Sequence, residues 1–239
     1  MNKRMFKYAR KVHKWLGYLL AIQIFFWLLG GLVMSAIPLE KVHGKHLAKR
    51  SLSNPFKVHD YMASIDAITT QFEQISDIKY SHLLTKPTIE IATLNGTFTF
   101  DGITGEAMAR PSESEIIENA KAHLLISAKA SQVQLLAKGP REIAYKENVW
   151  QVSFDDWLTT TLYLDSATGK VITVRSTIWR IFDFFWMLHI MDYDEREDFN
   201  NPLLISFAAT SVLFCISGIL LLLQNLRIKR RKPISTSSK

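Results

Sequence analysis

Seven histidines carry the most versatile chemistry in this chain of 239 residues, and three of them, His13, His43 and His189, stand beside apolar runs. Imidazole changes charge near neutral pH and is a common metal ligand. Two imidazoles on opposite faces of one porphyrin hold a haem, provided each has its second nitrogen steadied by a neighbour. His13 lies among the basic residues ahead of the first run, and His43 lies just beyond Pro38. His189 ends the series Trp179, Phe182, Phe185, Trp186. That spacing lines the aromatics and the imidazole along one helical face. Aromatic side chains are also the expected anchors of a membrane edge, and no histidine falls inside either apolar run. The first expectation for His189 is therefore structural. His46 follows His43 at a metal-ligand spacing, but Lys41, Lys45 and Lys49 surround it, so the segment predicts a solvated basic loop and no metal site is expected.

A second pattern, Asp-x-x-Thr-Gly, occurs at Asp101 to Gly105 and again at Asp165 to Gly169, 64 residues later. Aspartate accepts hydrogen bonds from the backbone two residues on, and glycine enters the left-handed region at little cost. Both copies predict strand-connecting turns without chemistry. Asp192, Asp194, Glu195, Glu197 and Asp198 surround Arg196 ahead of Asn201-Pro202. Lacking the EF-hand spacing and its glycine, they predict a solvated turn, with the proline in the first turn of the next helix. The chain has no G-x-S-x-G, H-E-x-x-H, phosphate-cradling glycine loop or C-x-x-C. No catalytic residue is assigned, and a binding protein fits better than an enzyme.

Two apolar runs must position these groups. Trp15 to Ile37 and Leu203 to Leu223 each supply roughly the 20 residues a helix needs to cross a bilayer. Neither the first 37 nor the last 40 residues contain an acidic side chain, and these ends hold twelve of the 29 Lys and Arg. The basic groups lie before the first run and after the second. The positive-inside rule then places both termini in the cytoplasm and the acidic middle outside it. The expected organisation is a basic cytoplasmic N-terminus (1–14), transmembrane helix (15–37), periplasmic domain (38–176), amphipathic interfacial helix (177–192), second transmembrane helix (203–226) and basic cytoplasmic tail (227–239), in a cell inner membrane. With no basic stripe in the middle, nucleic acid is excluded as a partner; the bilayer and its anionic headgroups account for the positive ends. Cys215, the single cysteine, forms no internal disulfide. Gly31 with Ser35, and Ser211 with Cys215, make small faces suited to close helix packing or a homodimer, and Gln23 offers a mid-span hydrogen bond.

The exported segment reads as α+β in two similar halves, about 56–110 and 112–176. In the first, Val58, Tyr61, Met62, Ile65, Ile68, Phe72 and Ile75 recur at helical spacing. Ile89 and Ile91, a two-residue Asn95-Gly96 turn, and Phe98 and Phe100 then predict a hairpin. In the second, Ser112 and Glu115 form a capping-box pattern ahead of Ile116, Ile117, Ala120 and Leu124. Alternation at Ile143 and Tyr145, at Trp150, Val152 and Phe154, and from Leu158 to Leu164 predicts strands.

Tyr163-Leu164-Asp165-Ser166-Ala167-Thr168-Gly169-Lys170-Val171-Ile172, following a helix and antiparallel strands, resembles the signature of PepSY domains. Val12-His13-Lys14-Trp15-Leu16-Gly17-Tyr18, Leu188-His189 and Ser217-Gly218 resemble the helix motifs of PepSY-associated transmembrane proteins. The chain departs from the larger members in having two spans where they have three or more. The resemblance implies two PepSY-like units and a role in binding or restraining an unidentified periplasmic or inner-membrane protein, without a cofactor. Some multi-span relatives are reductases that use haem to pass electrons to ferric siderophores. By that analogy the alternative is a haem b component of transmembrane electron transfer, with His43, His189 and His13 as candidate ligands and His43 and His189 as the outer pair.

Overall fold

The structure, a computed structural model, describes residues 3–52 and 57–230. The chain folds as α+β in two compact units, one formed by residues 1–36 and 183–239 and the other by residues 37–182.

The first unit is helical. α1 (Lys3–Ala36) and α6 (Pro202–Arg230) are each long and apolar enough to cross a membrane, and in each apolar window little is buried inside the protein, 11% and 6%. They are therefore not core helices of a soluble fold; Leu19, Ile22 and Leu28 on α1 and Val212, Ile219 and Leu222 on α6 all point outward. The two run antiparallel, because Gly17 meets the Phe214 ring, Gly218 meets His13, and Trp27 meets Phe207 edge-on at 5.7 Å. The start of α1 and the end of α6 thus share one end of the pair. Leu20, Met191 and Phe207 form the buried seam. Within a single chain, Gly31 and Ser35 do not pack against another helix. No atom lies within 4 Å of a Cβ built on Gly31, and Ser35 donates to Leu32 O of its own helix. The antiparallel register places both beyond the first turn of α6. Residues 231–239 of the basic tail lie outside the described residues.

α5 (Thr177–Ile190) belongs to both units by sequence and ends two residues short of its expected limit, where Met191 turns left-handed at φ 54°. Its last carbonyls would be orphaned in a helix end away from water. Three side chains take them: Gln23 Nε2 donates to Leu188 O at 3.4 Å, Trp27 Nε1 to His189 O at 2.8 Å, and Asn201 Nδ2 to Ile190 O at 2.9 Å. Asn201 also caps α6, accepting from Leu204 N at 2.8 Å, with Pro202 in the first turn as expected. The acidic turn between α5 and α6 is tied by Asp192, whose carboxylate accepts from the backbone N–H of Asp194, Glu197 and Asp198. Those bonds, that from Asp198 foremost, hold the Asp192 carboxyl below its usual range. Arg196 pairs with the buried Asp183.

The second unit holds two antiparallel sheets. After α2 (Leu39–Val42), the first half comprises a 3-10 turn (Val58–Asp60), α3 (Ile65–Thr69), and the meander β1 (Asp77–Leu83), β2 (Lys86–Thr93), β3 (Gly96–Asp101). The second half comprises α4 (Glu113–His123) and the meander β4 (Ala130–Lys138), β5 (Glu147–Phe154), β6 (Thr161–Asp165), β7 (Val171–Arg175). A row of fully apolar partners, Val133, Val152, Leu162 and Val174, crosses the larger sheet, and Ile116 and Ala120 of α4 close over that face. Ser112 and Glu115 form the expected capping box.

Several local expectations are corrected. The stripe from Val58 to Ile75 is not one helix. The N–H groups of Met62 and Ala63 bond Gly102 O, and Ser64 starts a five-residue helix that stops at the β-branched pair Thr69-Thr70. The stripe still packs, with Ile65, Ile68, Phe72 and Ile75 against Ile89, Ile91 and Phe100. The β2–β3 turn residues are Leu94 and Asn95, one position earlier than expected, and Gly96 opens β3 at φ 125°. Ile143 and Tyr145 form no strand, because Ile143 ends a 3-10 turn after Pro140, and Ala144 and Tyr145 are both left-handed. β1, β4 and β7 were not expected as separate strands.

Candidate functional site

The twin turns are the best-formed small structures of the second unit. Asp101 Oδ1 accepts from Ile103 N at 2.8 Å and Thr104 N at 3.0 Å, while Asp165 Oδ1 accepts from Ala167 N at 3.0 Å and Thr168 N at 2.9 Å. Gly105 and Gly169 both sit at positive φ, 76° and 70°. Even the following bridge recurs, Phe100 pairing with Ala107 as Leu164 pairs with Val171, so the 64-residue repeat is visible in the bonding itself. The N–H bonds from Thr104 and Ile103 hold the Asp101 carboxyl below its usual range. These aspartates are consumed by the turns, as the sequence predicted.

What the second turn does is deliver Gly169 to α4. Asn119 Nδ2 donates to Gly169 O at 2.6 Å, which fixes the amide with Oδ1 facing away. One turn further on, His123 Nδ1 donates to Lys49 O at 2.6 Å. A carbonyl can only accept, so the proton is on Nδ1 and Nε2 carries a lone pair. Burial pushes the His123 pKa down, which keeps the ring neutral. Asn119 and His123 are 4% and 6% exposed. Both border a cavity of about 240 Å³ whose wall also includes Arg50, Ser81, His82 and Lys170, with no carboxylate among its described residues. Lys170 donates at 2.7 Å to the buried Glu90, which does not line that wall, and Arg50 donates to Thr173 Oγ1 at 3.3 Å. Electrostatically, the site combines fixed lone pairs with two cations.

Gly169 and Lys170 fell within the turn motif, but Asn119, His123 and Arg50 were not singled out by the sequence. The signal was present: Ile116, Asn119, Ala120 and His123 follow i, i+3, i+4, i+7, one buried stripe with two polar members. A polar group on such a stripe must find a partner or face a cavity.

The expected histidines lie elsewhere. His13 stacks on Phe214 with centroids 4.2 Å apart, and its Nδ1 is 2.8 Å from Ser217 Oγ. His189 stacks on Trp27 at 5.1 Å beside Gly30, and its Nδ1 is buried without a hydrogen-bond partner. Both belong to the helical unit, but α1 separates His13 from Trp27 by fourteen positions, about 21 Å at 1.5 Å per residue. One porphyrin cannot take both. His43 belongs to the other unit, where it caps α2 on the surface; burial first, then the charges of Arg50, Lys45 and Arg175, lowers its pKa. Among the described residues no three His, Cys, Asp or Glu side chains gather as for a metal ion.

Comparison with known proteins adds no name to this arrangement. No family model, no curated protein and no solved structure matches the chain.

Proposed function

We propose that the chain is a two-pass inner-membrane protein whose α1 and α6 cross the bilayer and whose PepSY-like second unit binds a partner on the periplasmic side, without catalysing a reaction. The observation that carries the reading is the pairing of two mostly exposed apolar helices with a separate folded α+β unit that has a polar cavity lined by hydrogen-bonding and cationic side chains. The charge asymmetry of the ends supplies the orientation. In-cell photo-crosslinking from an exposed position of the second unit, such as Leu125, should trap a discrete partner in the membrane fraction. Turnover of a peptide or ferric substrate by the purified protein alone would contradict the reading.

A second reading, a haem b protein of transmembrane electron transfer, is favoured by the unpartnered Nδ1 of His189 in the helical unit. The fit is incomplete. A ligating imidazole needs its second nitrogen held, and His189 has no such partner, while His13 lies too far along α1 to oppose it. Within this unit a second copy of the chain would have to bring the opposing imidazole. Detergent-purified protein from haem-replete cells decides the matter. A Soret band lost in His189→Ala supports haem, and a colourless preparation removes it.

A further inference from the structure

The cavity on α4 asks for a ligand with two kinds of group. Asn119 Oδ1 and His123 Nε2 are acceptors four residues apart on one face, each on a side chain more than nine-tenths buried. Their other polar atoms are engaged and fixed, by Gly169 O and Lys49 O, so neither amide nor tautomer can turn round to donate. No described group bonds to either acceptor. Neither atom is among the fully enclosed polar atoms without a partner, so each opens onto the cavity, where the N–H or O–H groups of water or of a ligand can donate to it. In the same cavity wall, the Arg50 guanidinium spends one donor on Thr173 and has others free, and the Lys170 ammonium has donors beyond the one given to Glu90.

A fully deprotonated anion such as sulfate suits the cations but not the paired lone pairs. A metal ion or polyamine suits the lone pairs but not Arg50 and Lys170. The end of a peptide satisfies both, with its last amide N–H groups as donors and its terminal carboxylate for the cations. A volume of about 240 Å³ is below the usual 300–1,000 Å³ of sites for drug-sized ligands, which limits the occupant to one or two residues.

We propose that the cavity binds the carboxy-terminal end of a peptide, its backbone N–H groups donating to Asn119 Oδ1 and His123 Nε2 and its carboxylate meeting Arg50 and Lys170. The proposal deepens the binding reading above by naming what the partner presents. The peptide end belongs either to a free short peptide or to the tail of a protein.

The test is calorimetric titration of the full chain in detergent with N-acetyl-Ala-Ala, with its C-terminal amide, and with alanine, alongside the ¹⁵N resonance of His123 Nε2. Binding of N-acetyl-Ala-Ala, a shift of that resonance, and a loss of at least about tenfold on amidation or in Arg50→Gln are expected, since each change removes a charge-assisted hydrogen bond. Arg50 is exposed, so this variant should fold; a melt unchanged from the parent confirms it. Unmoved resonance and no heat at millimolar peptide mean ordered water only, and overturn the proposal. So does binding that is indifferent to amidation and to Arg50→Gln, or binding of alanine alone. A partner crosslink lost in Arg50→Gln assigns the site to a protein tail, and one retained assigns it to a free peptide. A partner crosslink that persists while the peptide fails to bind overturns the peptide-end site and leaves the binding reading standing.

Discussion

At the scale of single residues, two side chains set the second unit's stability in ways that a count of apolar contacts misses. Asp165 ties its turn with three hydrogen bonds, from Ala167 N, Thr168 N and the Thr168 hydroxyl. Asp165→Ala should destabilise the unit by about 2 kcal/mol at roughly 1 kcal/mol per net bond lost, less relaxation, and Asp165→Asn, which keeps an acceptor, by distinctly less; urea unfolding followed by circular dichroism measures both. His123 works through protons. Its pKa is lowered from 6.5 in the folded state by burial, so the unfolded chain binds the proton more tightly. The stability associated with neutral His123 is complete above the unfolded value and is lost as pH falls through it, with a slope of up to about 1.4 kcal/mol per pH unit. His43 shifts in the same direction. The difference in unfolding free energy between wild type and His123→Gln should therefore narrow on acidification from neutral pH to about pH 5. A difference that stays constant would show that His123 does not titrate with unfolding. The aspartate turns were legible in the sequence because their bonds are local. His123 was not, because its partner Lys49 reaches α4 only through tertiary folding.

At the scale of elements, the same division explains what was readable. Capping box, paired turns and apolar helices are written in short windows, and each formed as expected. The stripe from Val58 to Ile75 had helical spacing yet broke into a turn and α3, since Gly102 O competes for the N–H groups of Met62 and Ala63. Spacing thus recorded which residues pack, not the backbone between them. β4, with partly exposed residues on both faces, lacked the alternation that marks a half-buried strand. Gln23 was expected to bond across helices and does so, but to a helix end rather than to the partner span. α5 is held by its three captured carbonyls, and the shorter bond is the stronger. Trp27→Phe should lower the melting temperature of the detergent-solubilised protein more than Gln23→Leu does, the first costing about 0.6–1.7 kcal/mol, the range of hydrogen bonds between helices in a bilayer. Equal melts for both variants would mean that packing alone holds α5.

At the scale of the molecule, everything functional depends on which side of a bilayer the second unit occupies. The antiparallel pair brings the start of α1 and the end of α6 to one end of the helical unit, as a hairpin anchor requires. The family resemblance, the partner and the haem reading add detail to that anchor without replacing it. The direct test replaces Cys215 by serine and introduces one cysteine, at Ser127 on the surface of the second unit or at Lys7 on α1, for labelling by a membrane-impermeant maleimide. The account predicts that Ser127→Cys is labelled in cells whose inner membrane is intact, and that Lys7→Cys is labelled only after lysis. Labelling at Lys7→Cys alone in intact cells would place the folded unit in the cytoplasm and contradict the account.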